Sequence, residues 1–105
     1  MIKEKLLIYV DIDDTIADYN IDADKSNYNN ARPIWINIDK VNELYDDGHN
    51  ITYYTARGSG TGIDWYGITK RQLLTWGCKH HKLITGHKPP YDLLIDDRTK
   101  RIEEI

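Results

Sequence analysis

The sequence predicts an α/β fold with a mainly parallel sheet, and three of its features lead there. Short apolar runs recur along the 105 residues, among them Leu6-Leu7-Ile8-Tyr9-Val10, which no polar residue interrupts, as in strands buried on both faces. Between the first runs lie stretches with apolar residues three and four apart that end at glycine, the helix period and a helix stop. Polar clusters then follow the runs directly, at Asp11-Ile12-Asp13-Asp14-Thr15, Thr55-Ala56-Arg57 and Asp96-Asp97-Arg98. Strand, helix, strand, helix, strand, strand, helix is the order of a sandwich around a parallel sheet.

Each element has its own local cause. The run from Leu6 to Val10 is the first strand, ended by acids. Residues 16 to 31 are rich in Asn and Asp without a sustained period, so they read as a loop or small flap. Pro33 suits the first turn of a helix, and Ile34, Ile38, Val41, Leu44 and Tyr45 carry that helix to Gly48. Ile51-Thr52-Tyr53-Tyr54-Thr55 is β-branched and aromatic, the second strand. After the glycine-rich stretch Gly58-Ser59-Gly60-Thr61-Gly62, Asp64 can cap a helix carrying Trp65, Ile68, Leu73 and Trp76 and closed at Gly77. Lys82 to Thr85 is a short third strand, Asp92 to Ile95 a fourth, and the tail from Arg98 to Ile105 a last helix.

Size and composition narrow the class. A chain of 105 residues is one domain, 1–105, with a single core. Phe is absent, so eight Tyr, three Trp and the aliphatic residues must fill the interior. A formal charge of −3 argues against nucleic-acid binding by bulk charge, which needs a basic face. One cysteine, Cys78, excludes an internal disulfide and fits a reducing compartment. No apolar run approaches a membrane span, and the first apolar run is broken too early by Asp11 for a signal peptide. The reading is a soluble, cytoplasmic domain.

Parallel sheets bind ligands beyond the carboxyl ends of their strands, where strand order reverses. The three polar clusters belong on that rim, with Lys88 just before the fourth strand. Carboxylates crowded together repel unless a cation binds or some protonate. Oxygen-only ligands select a hard cation, and a few carboxylates with a phosphate suit Mg²⁺. Metal, lysine, hydroxyl and spare carboxylates together suit phosphoryl transfer, in which a carboxylate can itself attack phosphorus.

Asp11-x-Asp13-x-Thr15 after a buried strand, Thr55 ending the next, Lys88, and Asp96-Asp97 ending another resemble the haloacid dehalogenase superfamily of phosphatases. All four motifs of that superfamily stand in order, over residues 6 to 97. The fold this implies is a Rossmann-like three-layer sandwich, the superfamily's minimal core without a cap domain. Within it, the short chain and the run from Lys88 to Arg98 are similar to small capless phosphatases associated with capsule polysaccharide synthesis.

The resemblance implies roles. Asp11 is then the nucleophile and a Mg²⁺ ligand, and Asp13 the general acid and base, its backbone carbonyl reaching the metal. Thr55 holds the transferring phosphoryl group, with Ala56 and Arg57 beside it on the substrate. Lys88 neutralises that group and orients Asp11, Asp96 ligates Mg²⁺ with Asp97 either a co-ligand or a support behind it, and Thr15 steadies the Asp13 loop. Asp14 departs from the pattern, standing where many members carry glycine. Segments 16–31 and 56–63 are too short for a cap, so the usual specificity element is missing.

Other readings stay open at this level. Asp11 and Asp13 taken alone could cap a turn, and Lys88 taken alone is a surface lysine. Arg57 could grip a substrate anion two-pronged or pair with an acid of the protein. Cys78, His80, His81 and His87 are zinc-ligand types without a recognised spacing. The substrate expected from the resemblance is a sugar phosphate. A nucleotide or nucleic-acid end is the alternative, and a phosphoacceptor or phosphate-binding signalling domain the non-enzymatic one. Tyr and Trp side chains leave a homo-oligomer open.

Overall fold

The computed structural model describes residues 5–86 and the backbone of Leu93–Ile95. Its centre is a parallel sheet of β1 (Leu7–Asp11), β4 (Asn50–Thr55), β5 (Lys82–Thr85) and β6 (Leu93–Ile95) in the order β5-β4-β1-β6. Two helices, α1 (Trp35–Asp46) and α2 (Tyr66–Thr75), connect β1 to β4 and β4 to β5. A second, two-stranded antiparallel sheet pairs β2 (Ala17–Asp18) with β3 (Arg32–Pro33). The α/β class and the Rossmann-like parallel sheet expected from the sequence are therefore present.

Alternation along the strands decides which face carries the core. Ile8 and Val10 of β1, Ile51 and Tyr53 of β4, and Leu83 of β5 point to one face, where Ile38 and Val41 of α1 and Leu73 of α2 cover them. Burying each such aliphatic side chain stabilises the fold by roughly 1.5–3 kcal/mol. Both helices lie on this face because two crossovers of the same hand step the same way across the sheet, β1 to β4 to β5. The opposite face buries Tyr9 and Tyr54, with Leu7 and Ile84 packed against them. The tail helix expected over 98–105 lies outside the described residues. Among the described residues no helix is long and apolar enough to cross a membrane.

Two details differ from the sequence expectation. Pro33 lies in β3 rather than in the first helical turn, and α1 starts after Ile34. The cause is tertiary: Ile34 N–H donates to Ile16 O at 2.8 Å and Ala17 pairs with Pro33, so the approach to the helix is held against the loop after β1. Proline, lacking an N–H, suits so short an edge strand. Residues 16–31 are also more than a loop. The β2/β3 hairpin closes their base, and a 3₁₀ turn at Tyr28–Asn30 is capped by Asn27, whose side chain accepts Asn29 N–H.

The chain steps outward from β1 through β4 to β5 and then returns to β6 on the other side of β1. Strand order thus reverses beside β1, and the crevice at the reversal opens above the carboxyl end of that strand. Asp11 is its last residue.

Candidate active site

Beyond β1 the backbone folds into a tight loop. Ile12 O accepts the N–H groups of Thr15, Ile16 and Ala17 at 3.2, 2.9 and 3.1 Å, and Asp14 N–H donates to Ala17 O at 2.8 Å. Asp14 takes the left-handed conformation, φ 68°, that this closure requires. Glycine enters that region without strain and Asp tolerates it better than most residues, which accounts for an acid at this position. Asn37 of α1 donates to Thr15 O at 2.9 Å, tying the loop to the first turn of the helix. Asp13 is thereby held over the rim.

Four donors converge on the Asp13 carboxylate. Arg57 supplies two, Nη2–H to Oδ1 at 2.8 Å and Nε–H to Oδ2 at 3.0 Å. The Thr55 hydroxyl donates to Oδ2 and the Tyr19 hydroxyl to Oδ1, each at 3.2 Å. The two carboxylate oxygens offer about four acceptor positions, so the group is filled in its ionised form. Burial and the neighbouring Asp13 charge push the Tyr19 phenol far up, which keeps it a donor.

Arg57 is clamped from every side. Its side chain is 0% exposed. Nη1 donates to Thr69 Oγ1 at 3.1 Å and to Gln72 Oε1 at 2.7 Å, both on α2, while the guanidinium carbon lies 4.7 Å from the centre of the Tyr28 ring. Gln72 in turn donates to Tyr28 O at 2.7 Å, and Trp65 meets Tyr28 edge-on at 4.9 Å. Of the two partners the sequence left open for Arg57, this arrangement assigns it the acid, and its fork faces Asp13 rather than open solvent.

The remaining sequence candidates divide in two. Thr55 is buried at the end of β4, and its oxygen also accepts Arg57 N–H at 3.1 Å, so one side chain ties Asp13 to the Arg57 backbone. Ala56 is exposed on the same rim. Asp11 sits opposite Tyr54 in the β1/β4 register, one strand across from Thr55. The register Val10↔Ile95 brings the end of β6 level with the end of β1. Lys88, Asp96 and Asp97 lie outside the described residues.

Tyr19, Tyr28, Thr69 and Gln72 carry the Arg57–Asp13 arrangement and were not singled out in the sequence. Only Thr69 left a signal: it falls among Trp65, Leu73 and Trp76 on the apolar stripe of α2, and a hydroxyl there needs a partner. Gln72 and Tyr28 meet across 44 residues, a separation that no local pattern encodes.

The donor set bears on a metal ion. Filled by its four donors, the Asp13 carboxylate has no oxygen left for a cation, so Asp13 could offer only its backbone carbonyl. Asp11 brings the other carboxylate of the Asp11-x-Asp13 motif, and oxygen donors of that kind fit Mg²⁺. Among the described residues no group of three or more His, Cys, Asp and Glu side chains stands ready to hold a metal ion. His81 Nδ1 instead accepts Ile51 N–H at 3.1 Å and its ring stacks on Tyr45, while His80 bonds Cys78 O at 2.8 Å. His87 lies outside the described residues.

A cleft of about 360 Å³ opens beside this network, between the flap and the glycine-rich loop. Tyr28 and Trp65 form its aromatic walls, Ser26, Ser59 and Thr61 line it with hydroxyls, and Ala56 joins it to the rim.

No protein-family model matches the chain, and no curated protein matches it. One solved structure does, the crystal structure of a structural-genomics target from Vibrio cholerae. It is 28% identical, aligns over 96% of this chain and 86% of its own, and superposes with a TM-score of 0.69. The likeness runs nearly the full length of both chains, so the sheet and helices described above form a fold this chain shares with that protein.

Proposed function

We propose that the protein is a Mg²⁺-dependent phosphomonoester hydrolase of the haloacid dehalogenase type, working through an aspartyl-phosphate. The observation that carries the reading is the meeting of the first two sequence motifs at one rim. Thr55, ending β4, bonds Asp13, two residues beyond Asp11 at the end of β1. The order of the four motifs along the chain supports it further.

In this reading an Asp11 carboxylate oxygen attacks phosphorus, the ester P–O bond breaks, and Asp13 gives its proton to the departing alcohol oxygen. Water then attacks the acyl phosphate with Asp13 as base, releasing inorganic phosphate and restoring Asp11. Asp11, the Asp13 carbonyl, Asp96 and Asp97 would hold Mg²⁺, which would supply charge neutralisation there. Lys88 adds to that neutralisation, and Thr55 contributes its hydroxyl to the phosphoryl oxygens.

Asp13 as found accepts hydrogen bonds on both oxygens, the arrangement that suits the base of the second half-reaction. To carry the proton of the first half it must release one donor. The neutral hydroxyls of Thr55 and Tyr19, at 3.2 Å, give way before the charged two-point Arg57 contact at 2.8 and 3.0 Å. Arg57 is thus a positioning residue, buried behind Asp13 and fixing where its carboxylate points.

The test is phosphate release from sugar phosphates, nucleotides and an aryl phosphate, with Mg²⁺ and with chelator, in the parent and in Asp11→Asn. Multiple turnovers that need Mg²⁺ and vanish in Asp11→Asn are the expected result. A single retained phosphoryl group would instead make the protein a phosphoacceptor, and activity surviving in Asp11→Asn would overturn the mechanism.

A further inference from the structure

We propose that His49 and His81 form a pair of pH-operated latches that close the amino edge of the parallel sheet, and that mild acid opens this edge. The two sites are built alike. A histidine directly precedes each of β4 and β5, and its ring supplies an acceptor to the neighbouring strand.

In a parallel pair the N–H and C=O of one residue reach to either side of a residue on the partner strand. Where β1 and β4 begin to pair, Leu6 O accepts Asn50 N–H at 3.0 Å, and Leu6 N–H donates to His49 Nδ1 at 3.1 Å. Where β4 and β5 begin to pair, Ile51 O accepts His81 N–H at 2.8 Å, and Ile51 N–H donates to His81 Nδ1 at 3.1 Å. Both times the imidazole fills, at the first rung, the acceptor position that a backbone carbonyl holds further along.

An N–H can be accepted only by a lone pair, so each latch closes on a neutral ring that carries its proton at Nε2. A second proton goes to Nδ1, where it meets the backbone N–H head-on. A ring released from its strand takes that proton near pH 6.5, as a free imidazole does. The open form of each latch therefore gains about tenfold in population between pH 7.5 and pH 5.5.

The groups about the rings do not offset this. His81 is exposed, stacks on Tyr45 of α1 at 4.7 Å and follows His80 in the chain. On the α2 side Lys70 Nζ lies 3.0 Å from His80 Nε2, and on the β4 side Tyr53 meets the His80 ring edge-on. His49 is buried, with Asp47 two residues before it and Lys5 next to its partner Leu6. Asp46 is held by Lys79 at 2.8 Å. Among the described residues no carboxylate pairs with any of the three rings, so none favours their charged form. The latched strands carry Asp11 and Thr55 at their far ends, but the switch does not depend on what those residues do.

Amide hydrogen exchange followed by NMR tests the proposal, with rates converted to protection factors so that the intrinsic pH dependence of exchange drops out. From pH 7.5 to pH 5.5 the Leu6 and Ile51 amides should lose about tenfold in protection, and the mid-strand amide of Tyr53 less. His49→Asn and His81→Asn each put a non-titrating carbonyl oxygen in place of Nδ1, and each should remove the pH dependence at its own partner amide alone. Long-range ¹⁵N spectra of the parent, which need no variant, should show both rings as the Nε2–H tautomer at pH 7.5. An Nδ1–H tautomer, protection that does not change with pH, or equal losses in the parent and the Asn variants would overturn the latch.

Discussion

Arg57 and Asp13 meet fork to carboxylate, at 2.8 and 3.0 Å, across 44 residues of chain. The arginine side chain is wholly buried and the aspartate 26% exposed, so the pair joins the interior to the rim. It binds the loop after β1, the end of β4 and, through Thr69 and Gln72, the helix α2. Residues that serve chemistry in the proposed mechanism therefore also serve the fold.

That double role predicts how stability responds. Removing one partner of a buried ion pair leaves the other charge uncompensated and costs about 3–5 kcal/mol. Asp13→Asn and Arg57→Met should each lose stability toward the lower end of that range, because water reaches part of Asp13. Combined, they should lose less than the sum, since the double variant strands no charge. Urea midpoints of the three variants measure this, and additive losses for the pair would refute the coupling.

Gly58 has a local role that Gly60 lacks. It stands at φ 85°, and a Cβ there would collide with the Ile63 carbonyl oxygen, whereas a Cβ on Gly60 would meet nothing within 4 Å. Gly58→Ala should lower stability by more than about 1 kcal/mol, the scale of left-handed strain alone. It should also displace the loop carrying Ser59 and Thr61, while Gly60→Ala leaves both measures unchanged. Thermal unfolding with amide NMR distinguishes the two.

Thr52 is buried at 1% exposure, and its hydroxyl finds no hydrogen-bond partner among the described residues. An unmatched buried hydroxyl costs about 1–3 kcal/mol, and valine has nearly its shape with a better strand preference. Thr52→Val should raise the melting temperature by several degrees, about 4–8 °C per kcal/mol in a domain of this size. Calorimetry checks it.

Stability should fall on both sides of neutrality. Burial, aided by Lys70 and His81, lowers the His80 imidazole below its ordinary 6.5. The unfolded chain then binds the proton first, so stability present above pH 6.5 is lost as pH falls toward the folded value. Burial pushes the Cys78 thiol from 9.0 up to about 12, so the unfolded chain ionises first and stability is lost as pH rises above 9. His80→Phe should flatten the acid limb and Cys78→Ala the alkaline limb of a urea-midpoint profile. The same thiol should resist maleimide at pH 7.5 until the protein unfolds, since thiolate is the reactive form.

The sequence by itself determined the four strands of the parallel sheet, the helices α1 and α2 and their order, because each follows from local periodicity and punctuation. Leu6 to Val10 is apolar without interruption, Ile38 and Val41 repeat at the helix step, and Gly48 follows α1 with φ 98°. The expectation of a phosphatase superfamily came from short motifs, two of which, at Asp11 and Thr55, end β1 and β4. Pro33 was misread because its place depends on Ala17, sixteen residues away, and not on its neighbours. The partner of Arg57 could not be chosen at all: substrate and acid fit an isolated guanidinium equally well. Only packing decided, by bringing β4 beside β1 and α2 behind both, so that Asp13, Thr69, Gln72 and Tyr28 surround one buried cation. The cleft arose in the same way, from a flap and a loop that are remote in the chain and joined through Tyr28 and Trp65.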